Sequence, residues 1–419
     1  MLPGALVGLL ATVVCILAIP VLLLRGKTRP GLLQRLGARP PVPRPGSRVW
    51  VHAASAGDVK NIWPVVRALR EARPDVVVML SYVTNSAAHM VGSLNPPPDV
   101  HAYVPLDAPV FVRRAFRCWQ PTVMLLEMTE LWPSLLSELR RNNVPVALCN
   151  ARMSARSFPR YQRLFAWLGN PVKDLAFVGA QTHEDRGRYL ALGANPQHCV
   201  TTGNCKFDAA ARTPSTEKVE TLRALVAPKG PLLVAGSTHQ GEEDVVLDAL
   251  RAARMVEPQS RLLWAPRYLE HVEGIVAQVK AAGFSAQRRS GDAGTCATAD
   301  VVVLDTMGEL AAAYALGSVA LVGGSFVPRG GQNILEPAAQ GVPVLHGPHM
   351  FLAPDQVAVL DGHGAQEVTR DAVASHVQAL LRDVGAAREL GATGRAAVLG
   401  VAGAAAKHLP HVLALLPKA

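Results

Sequence analysis

Gly323-Gly324-Ser325-Phe326-Val327-Pro328-Arg329-Gly330-Gly331-Gln332-Asn333-Ile334-Leu335-Glu336-Pro337 links an apolar run, Val319–Val322, to a short helix that Gly341 closes. Gly323, Gly324, Gly330 and Gly331 let backbone amides come close to an anion, and a helix N-terminus favours negative charge. Asn333 opens the helix and Glu336 lies one turn into it, where a carboxylate can hold a pair of ribose hydroxyls. This is the layout of a nucleotide site at the carboxyl end of a parallel strand. No Gly-Lys-Ser/Thr follows, so it is not a Walker loop. The same residues also satisfy a plainer reading, with Asn333 and Glu336 as a capping pair and the glycines as turns.

Five other segments carry groups that can do chemistry. His52-Ala53-Ala54-Ser55-Ala56-Gly57-Asp58 joins a strand to a helix. Ser55 and Gly57 shape that loop, and Asp58 stands either as a general base or as the N-cap of the helix. Leu126-Glu127-Met128-Thr129-Glu130-Leu131-Trp132-Pro133-Ser134 also follows a strand. Glu127 and Glu130 can bind sugar hydroxyls or place a basic partner; alternatively Thr129 or Glu130 opens a helix whose dipole favours acids. Gly203-Asn204-Cys205-Lys206-Phe207-Asp208 offers Lys206 to an anion. In Ala235-Gly236-Ser237-Thr238-His239-Gln240-Gly241-Glu242, Ser237 and Thr238 are placed to meet a phosphate, and Ser237 with Gln240 also fits a capping box. Arg267, in Ala265-Pro266-Arg267-Tyr268, is either a bidentate clamp for phosphate or carboxylate or an ordinary surface arginine.

These loops need a scaffold of strands and helices in alternation. Apolar runs predict strands at 49–53, 76–81, 123–127, 144–149, 175–180 and 200–203, then at 232–235, 261–265, 301–304, 319–322 and 342–345, with helical stretches between them. Strands apolar on both faces belong to parallel sheets covered by helices. Two successive sets predict an α/β protein of two Rossmann-like domains facing a cleft, at 47–208 and 231–419. Residues 209–230 are polar and read as the interdomain linker. The Ala-rich tail after Val384 reads as helical, its last helix able to cross back.

A chain of 419 residues with 49% hydrophobic residues is too long for one core and too apolar for disorder. The net charge of +10 suits an anionic partner, but the basic residues are scattered without aromatic interleaving, which argues against nucleic acid. The six cysteines form no Cys-x-x-Cys pair, and there is neither an Asp-x-Asp pair nor a histidine cluster of metal-ligand spacing. No metal is therefore expected. Residues 1–24 carry no charged side chain and are long enough to cross a bilayer core of roughly 30 Å. Arg25, Lys27 and Arg29 follow, so residues 1–24 are expected to be a transmembrane anchor, residues 25–46 a basic juxtamembrane linker, and the remainder cytoplasmic.

Together the segments resemble glycosyltransferase family 30, the membrane-anchored transferases that add 3-deoxy-D-manno-octulosonic acid (Kdo) to lipid A precursors. Trp50-Val51-His52-Ala53-Ala54-Ser55-Ala56-Gly57, Glu130-Leu131-Trp132-Pro133-Ser134, Gly203-Asn204-Cys205-Lys206-Phe207, Ala235-Gly236-Ser237-Thr238, Ala265-Pro266-Arg267 and residues 323–337 match in order and spacing, from about residue 47 to residue 348. The resemblance implies a GT-B fold, CMP-Kdo as donor substrate with no cofactor, a phosphorylated glycolipid acceptor, inner-membrane lipids as surroundings, and inversion at the anomeric carbon. It puts the catalytic base on Asp58, CMP binding on Ser237, Arg267, Asn333 and Glu336, and cleft positions on Glu130 and Lys206. Asp58 stands where the family has Glu, Tyr268 where it has His after Pro-Arg, and Ser81-Tyr82-Val83-Thr84-Asn85-Ser86 lacks the family's Thr-Pro-Thr-like pattern. The alternatives are a divergent GT-B transferase with another nucleotide sugar or acceptor, and a membrane-tethered binding protein whose catalysis has weakened.

Overall fold

A computed structural model describes residues 12–13 and 30–417. The expected anchor at residues 1–24 lies outside the described residues apart from Thr12 and Val13. The chain forms two compact units: Met1–Ala209 together with Ala402–Ala419, and Ala210–Val401.

The first unit holds a seven-stranded sheet. Its strands are β1 (Arg48–His52), β2 (Val77–Tyr82), β3 (Val100–Tyr103), β4 (Val123–Glu127), β5 (Val146–Ala151), β6 (Phe177–Ala180) and β7 (Cys199–Thr201). They lie in the order β3-β2-β1-β4-β5-β6-β7, all parallel. Alternate residues of β1 feed opposite cores: Trp50 packs with Met79, Trp119 and Met124, while Val49 and Val51 pack with Ile62, Val66 and Leu125. That two-sided burial is why the strands read as continuous apolar runs.

The second unit repeats the plan with β8 (Leu232–Thr238), β9 (Arg261–Pro266), β10 (Ala286–Arg288), β11 (Val301–Val303), β12 (Val319–Val322), β13 (Val344–His346) and β14 (Ala365–Glu367). Their order is β10-β11-β9-β8-β12-β13-β14, again parallel throughout. In each sheet the winding changes direction at the centre, between β1 and β4 and between β8 and β12; in the second sheet the chain also steps out to the edge at β10 before returning to β11. Ligands of open α/β sheets bind beyond the carboxyl ends of the strands at that reversal. The loops after these four strands are His52-to-Asp58, Glu127-to-Trp132, Ser237-to-Glu242 and Gly323-to-Glu336, the segments whose residue types first drew notice.

The structure corrects the segmentation in several places. Strands β3, β10 and β14 were not expected; each forms an edge of its sheet, and two of them are three residues long with Gln, Arg or Glu in them, so no apolar run marks them. Residues 210–230 are part of the second unit and not a linker. Helix Thr216–Val226 buries Leu222, Leu225 and Val226 against Val234, Leu263 and Tyr314, an apolar stripe hidden by the polar residues around it. Residues 30–46 are docked on the first unit and do not hang free. Arg35 donates to the Val83 carbonyl at 2.8 Å and lies over the Tyr103 ring, Arg39 lies over Trp119, and Arg44 pairs with Asp99 at 3.0 Å.

One stretch of the described residues, Val384–Leu415, is long and apolar enough to cross a membrane by length and composition alone. It is two helices, Val384–Val401 and Ala404–Leu415, with Gly403 between them at φ 101°. The first buries Ala387, Gly391, Gly394 and Val398 in the second unit. The second buries Ala404, Ala405, His408 and Val412 in the first unit, beside helix Ala56–Ala72. Each half thus packs one buried stripe against its own unit.

Candidate active site

In the first unit, helix Ala56–Ala72 begins with Ser55 as N-cap. Asp58 is the third helical residue and not the N-cap: its Oδ2 accepts the Ser55 N–H at 2.9 Å while the Asp58 N–H donates to Ser55 Oγ at 3.3 Å. This reciprocal capping box fixes Asp58 at the carboxyl edge of β1 and leaves its other oxygen outside the box. Gly57 is exposed, so nothing covers the loop there.

Glu130 is free of the capping role open to it in the sequence. The helix begins only at Pro133, and its first amides, Ser134 N–H and Leu135 N–H, donate to Asp107 at 3.1 and 2.9 Å. Instead Glu130 Oε2 accepts from Trp132 Nε1 at 2.6 Å and lies 3.7 Å from His52 Nε2. Burial would raise the Glu130 carboxyl, but His52 and Trp132 hold it below its ordinary value. His52 is buried; its Nδ1 is within 2.9 Å of Ser81 Oγ, while its Nε2 has no hydrogen-bond partner.

Glu127 is fully buried at the end of β4. Burial pushes its carboxyl well up; the Asn150 amide opposes this from 3.0 and 3.1 Å, and the charges of Asp58 and Glu130 add to the rise. Asn150 sits at φ 50°, a left-handed conformation that asparagine adopts more readily than most residues with a side chain, and a net of bonds holds it there. Its Oδ1 accepts from Cys205 N–H at 2.9 Å, its N–H reaches His408 Nε2 at 3.2 Å, and its carbonyl accepts from Gln181 at 3.0 Å. Asn150 thereby ties the end of β4 to the turn that carries Lys206 and to the last helix. Lys206 lies over the Phe207 ring. Asp58, Glu127 and Glu130 thus sit close enough for their charges to act on one another, beside His52.

In the second unit, Glu242 is the organising residue, with bonds that no local sequence pattern marks. Fully buried, its carboxylate accepts from His239 N–H at 2.7 Å, Gly324 N–H at 2.8 Å and Phe326 N–H at 2.9 Å. Burial raises its pKa, and these amides limit the rise. The bonds lock the loop after β12 onto the loop after β8.

This corrects the expected anion cradle. The amides of Gly324 and Phe326 are already taken by Glu242, and Gly323 N–H donates to the Gly236 carbonyl at 2.9 Å. The glycines serve close packing: a Cβ on Gly323 would meet the Thr238 backbone, one on Gly330 the Leu352 side chain, and one on Gly331 Met350. Thr238 is likewise not free for a ligand, since its hydroxyl accepts from Trp264 Nε1 at 2.8 Å in the core. Ser237 is at φ 55° and forms no capping box with Gln240, because the helix starts later, at Glu243.

Arg267 is exposed after β9, its backbone N–H bonded to the Thr238 carbonyl at 2.9 Å and its guanidinium over Tyr268. It shares its surroundings with His239 and Arg329, neither singled out from the sequence. Burial depresses the His239 imidazole, and the positive charges of Arg329, Arg267 and His271 depress it further. The carboxyl edge of this sheet therefore presents concentrated positive charge. Asn333 stands beside it, its Oδ1 accepting from Leu335 N–H at 3.0 Å and its Nδ2 donating to Glu336 Oε1 at 3.2 Å. Asn333 so fixes the Glu336 carboxylate by a side-chain bond.

Comparison with known proteins gives the chain's relatives. Residues 30–209 match the family model described as 3-deoxy-D-manno-octulosonic-acid transferase (kdotransferase). The chain is 34% identical to the 3-deoxy-D-manno-octulosonic acid transferase of Haemophilus influenzae, over 84% of this chain and 83% of that one. It is 36% identical to the enzyme of the same name from Bordetella pertussis, over 77% and 76%. Among solved structures, the UDP-GlcNAc 2-epimerase of Neisseria meningitidis aligns with TM-score 0.58 at 12% identity, over 88% of this chain and all of that one. A glycosyltransferase from Rickettsia africae aligns with TM-score 0.55 at 11% identity, over 89% and 99%. These two structures establish the GT-B type of fold alone. With its two parallel seven-stranded sheets and its sequence relatives, the chain is a glycosyltransferase and belongs to the 3-deoxy-D-manno-octulosonic acid transferase family.

Proposed function

We propose that this protein moves Kdo from CMP-Kdo to a phosphorylated glycolipid, a lipid A precursor, in lipopolysaccharide synthesis, with inversion at the anomeric carbon and without a metal. The observation that carries this reading is the chemistry each unit presents at the carboxyl edge of its own sheet. The first unit carries the carboxylates of Asp58 and Glu130 beside the buried carboxyl of Glu127; the second carries the cations Arg267 and Arg329 around His239. The relatives' names supply the sugar.

In this mechanism the acceptor hydroxyl attacks the anomeric carbon of Kdo while the bond to the CMP phosphate oxygen breaks. The leaving group is already a phosphate, so charge stabilisation matters more than acid catalysis. Arg267 and Arg329 take up the growing negative charge, and Glu336, held by Asn333, takes the ribose hydroxyls. Ser237 lies beside the phosphate. Asp58 removes the acceptor proton, its free oxygen pointing away from the capping box. Glu130 and Lys206 hold the acceptor. Residues 1–24 anchor the protein in the inner membrane with the catalytic part on the cytoplasmic side, where the acceptor lies.

The direct test is calorimetric titration with CMP. Loss of a charged hydrogen bond at Arg267→Ala removes about 1.5–3 kcal/mol, so affinity falls roughly ten- to a hundredfold. Equal CMP affinity in Arg267→Ala, or tighter binding of UMP than of CMP, would overturn the donor assignment.

A further inference from the structure

Between Arg152 and Lys173 the sequence has no acidic residue, and Arg152, Arg156, Arg160 and Arg163 recur at helical spacing. Helix Phe158–Leu168 lies within this stretch. Its inner stripe is Phe158, Tyr161 and Phe165, packed on the first unit's core. Its outer face carries Arg160, Arg163, Leu164 and Trp167, with Arg156 in the turn leading in. Trp167 is 69% exposed and Leu164 44% exposed, among the most exposed large apolar side chains of the first unit. None of Arg156, Arg160 or Arg163 forms an ion pair with a described residue.

We propose that this helix is a second membrane contact: an interfacial helix that lays Trp167 and Leu164 into an anionic leaflet and sets Arg156, Arg160 and Arg163 against lipid phosphates. Aromatic and aliphatic side chains beside arginines are the chemistry of a helix lying in the headgroup region. The charge complementarity is one-sided, since no acid interrupts the stretch. The path of the chain agrees. Gly31 packs on Tyr103 at the end of β3, and Arg35 bonds to Val83 just beyond β2, so residues 31–35 lie at the carboxyl edge of the sheet. The stretch before the helix starts at that same edge, where Thr129 bonds the Arg152 carbonyl. Tyr161 on the inner stripe feels the Glu130 charge, so the helix flanks the proposed acceptor residues. A lipid-borne acceptor then reaches Glu130 without leaving the bilayer surface.

The inference rests on the membrane reading of the function but is tested apart from it. Full-length protein is reconstituted in vesicles containing anionic lipid, with plain or brominated acyl chains, and the emission of wild type is compared with that of Trp167→Phe. The difference is the Trp167 signal. Trp167 is expected to lose the larger part of its emission in brominated vesicles. The loss should shrink in zwitterionic vesicles, and also at 1 M salt, where screening acts over about 3 Å. Reversing Arg156, Arg160 and Arg163 to Glu should abolish the quenching while the protein still floats with the vesicles through residues 1–24. Undiminished Trp167 emission in protein that floats would overturn the proposal. Failure to float would instead count against the anchor.

Discussion

Replacing Asp58 by Asn separates its two roles. In the capping box Asp58 Oδ2 accepts the Ser55 N–H at 2.9 Å, and an asparagine oxygen can accept the same bond. What Asp58→Asn loses structurally is a charge in the first helical turn, about 0.3–1 kcal/mol. For a unit of this size that is a fall in melting temperature of about 1–4 °C, at roughly 2–4 °C per kcal/mol. The backbone N–H of residue 58 still reaches Ser55 Oγ, so the cap itself survives. An amide cannot take a proton from the acceptor hydroxyl, so turnover should fall by about 10²–10⁴-fold. Asp58→Ala should lose similar activity and about 1 kcal/mol more stability, because the Ser55 N–H is left without its partner. Asp58→Glu, the residue usual in the family, should keep substantial turnover. The assay is CMP release from CMP-Kdo with a lipid A precursor, alongside thermal melts. Asp58→Asn turning over within a few-fold of wild type would refute the base and leave Asp58 as a cap alone.

Glu242→Gln should destabilise the second unit by about 1.5–3 kcal/mol and weaken CMP binding, because one amide oxygen cannot serve three N–H donors at 2.7–2.9 Å; an unchanged melt would refute the lock. Glu127 has a raised pKa, so above its ordinary value of 4.5 the folded state holds a proton the unfolded chain has released, and stability falls with rising pH. Glu127→Gln should flatten that slope, by at most about 1.4 kcal/mol per pH unit, in urea melts from pH 5 to 8; an unaltered slope would mean Glu127 is ionised in the fold. Transfer should persist in excess EDTA, and loss in EDTA with recovery on adding Mg²⁺ would contradict the metal-free mechanism.

The central strands and the loops at the two reversals were legible because burial on both faces writes a continuous apolar run, and because turns of glycine, proline and small polar residues stand out between such runs. What those loops do with their amides was not legible. Glu242 sits more than eighty residues from Gly324 in sequence, and no local pattern says that its carboxylate consumes the amides the glycines seem to offer. The Asn150–His408 bond spans 258 residues and binds the last helix into the first unit, which pattern reading could only leave as an option. Helix Thr216–Val226 reads as a linker in sequence because its exposed face is strongly polar and Leu222, Leu225 and Val226, with Val219 half-buried beside them, form a short core-facing stripe. Arg329 lies among glycines that dominate its segment, and its charge acts on His239 only through the fold, from a loop ninety residues away in sequence.

The most direct test of the central claim is mass spectrometry of a tetra-acylated lipid A precursor incubated with membranes containing this protein and CMP-Kdo. The account predicts a product heavier by one or more Kdo residues, formed with stoichiometric release of CMP and about 10²–10⁴-fold more slowly with Asp58→Asn. Unmodified precursor alongside protein that binds CMP normally would contradict it.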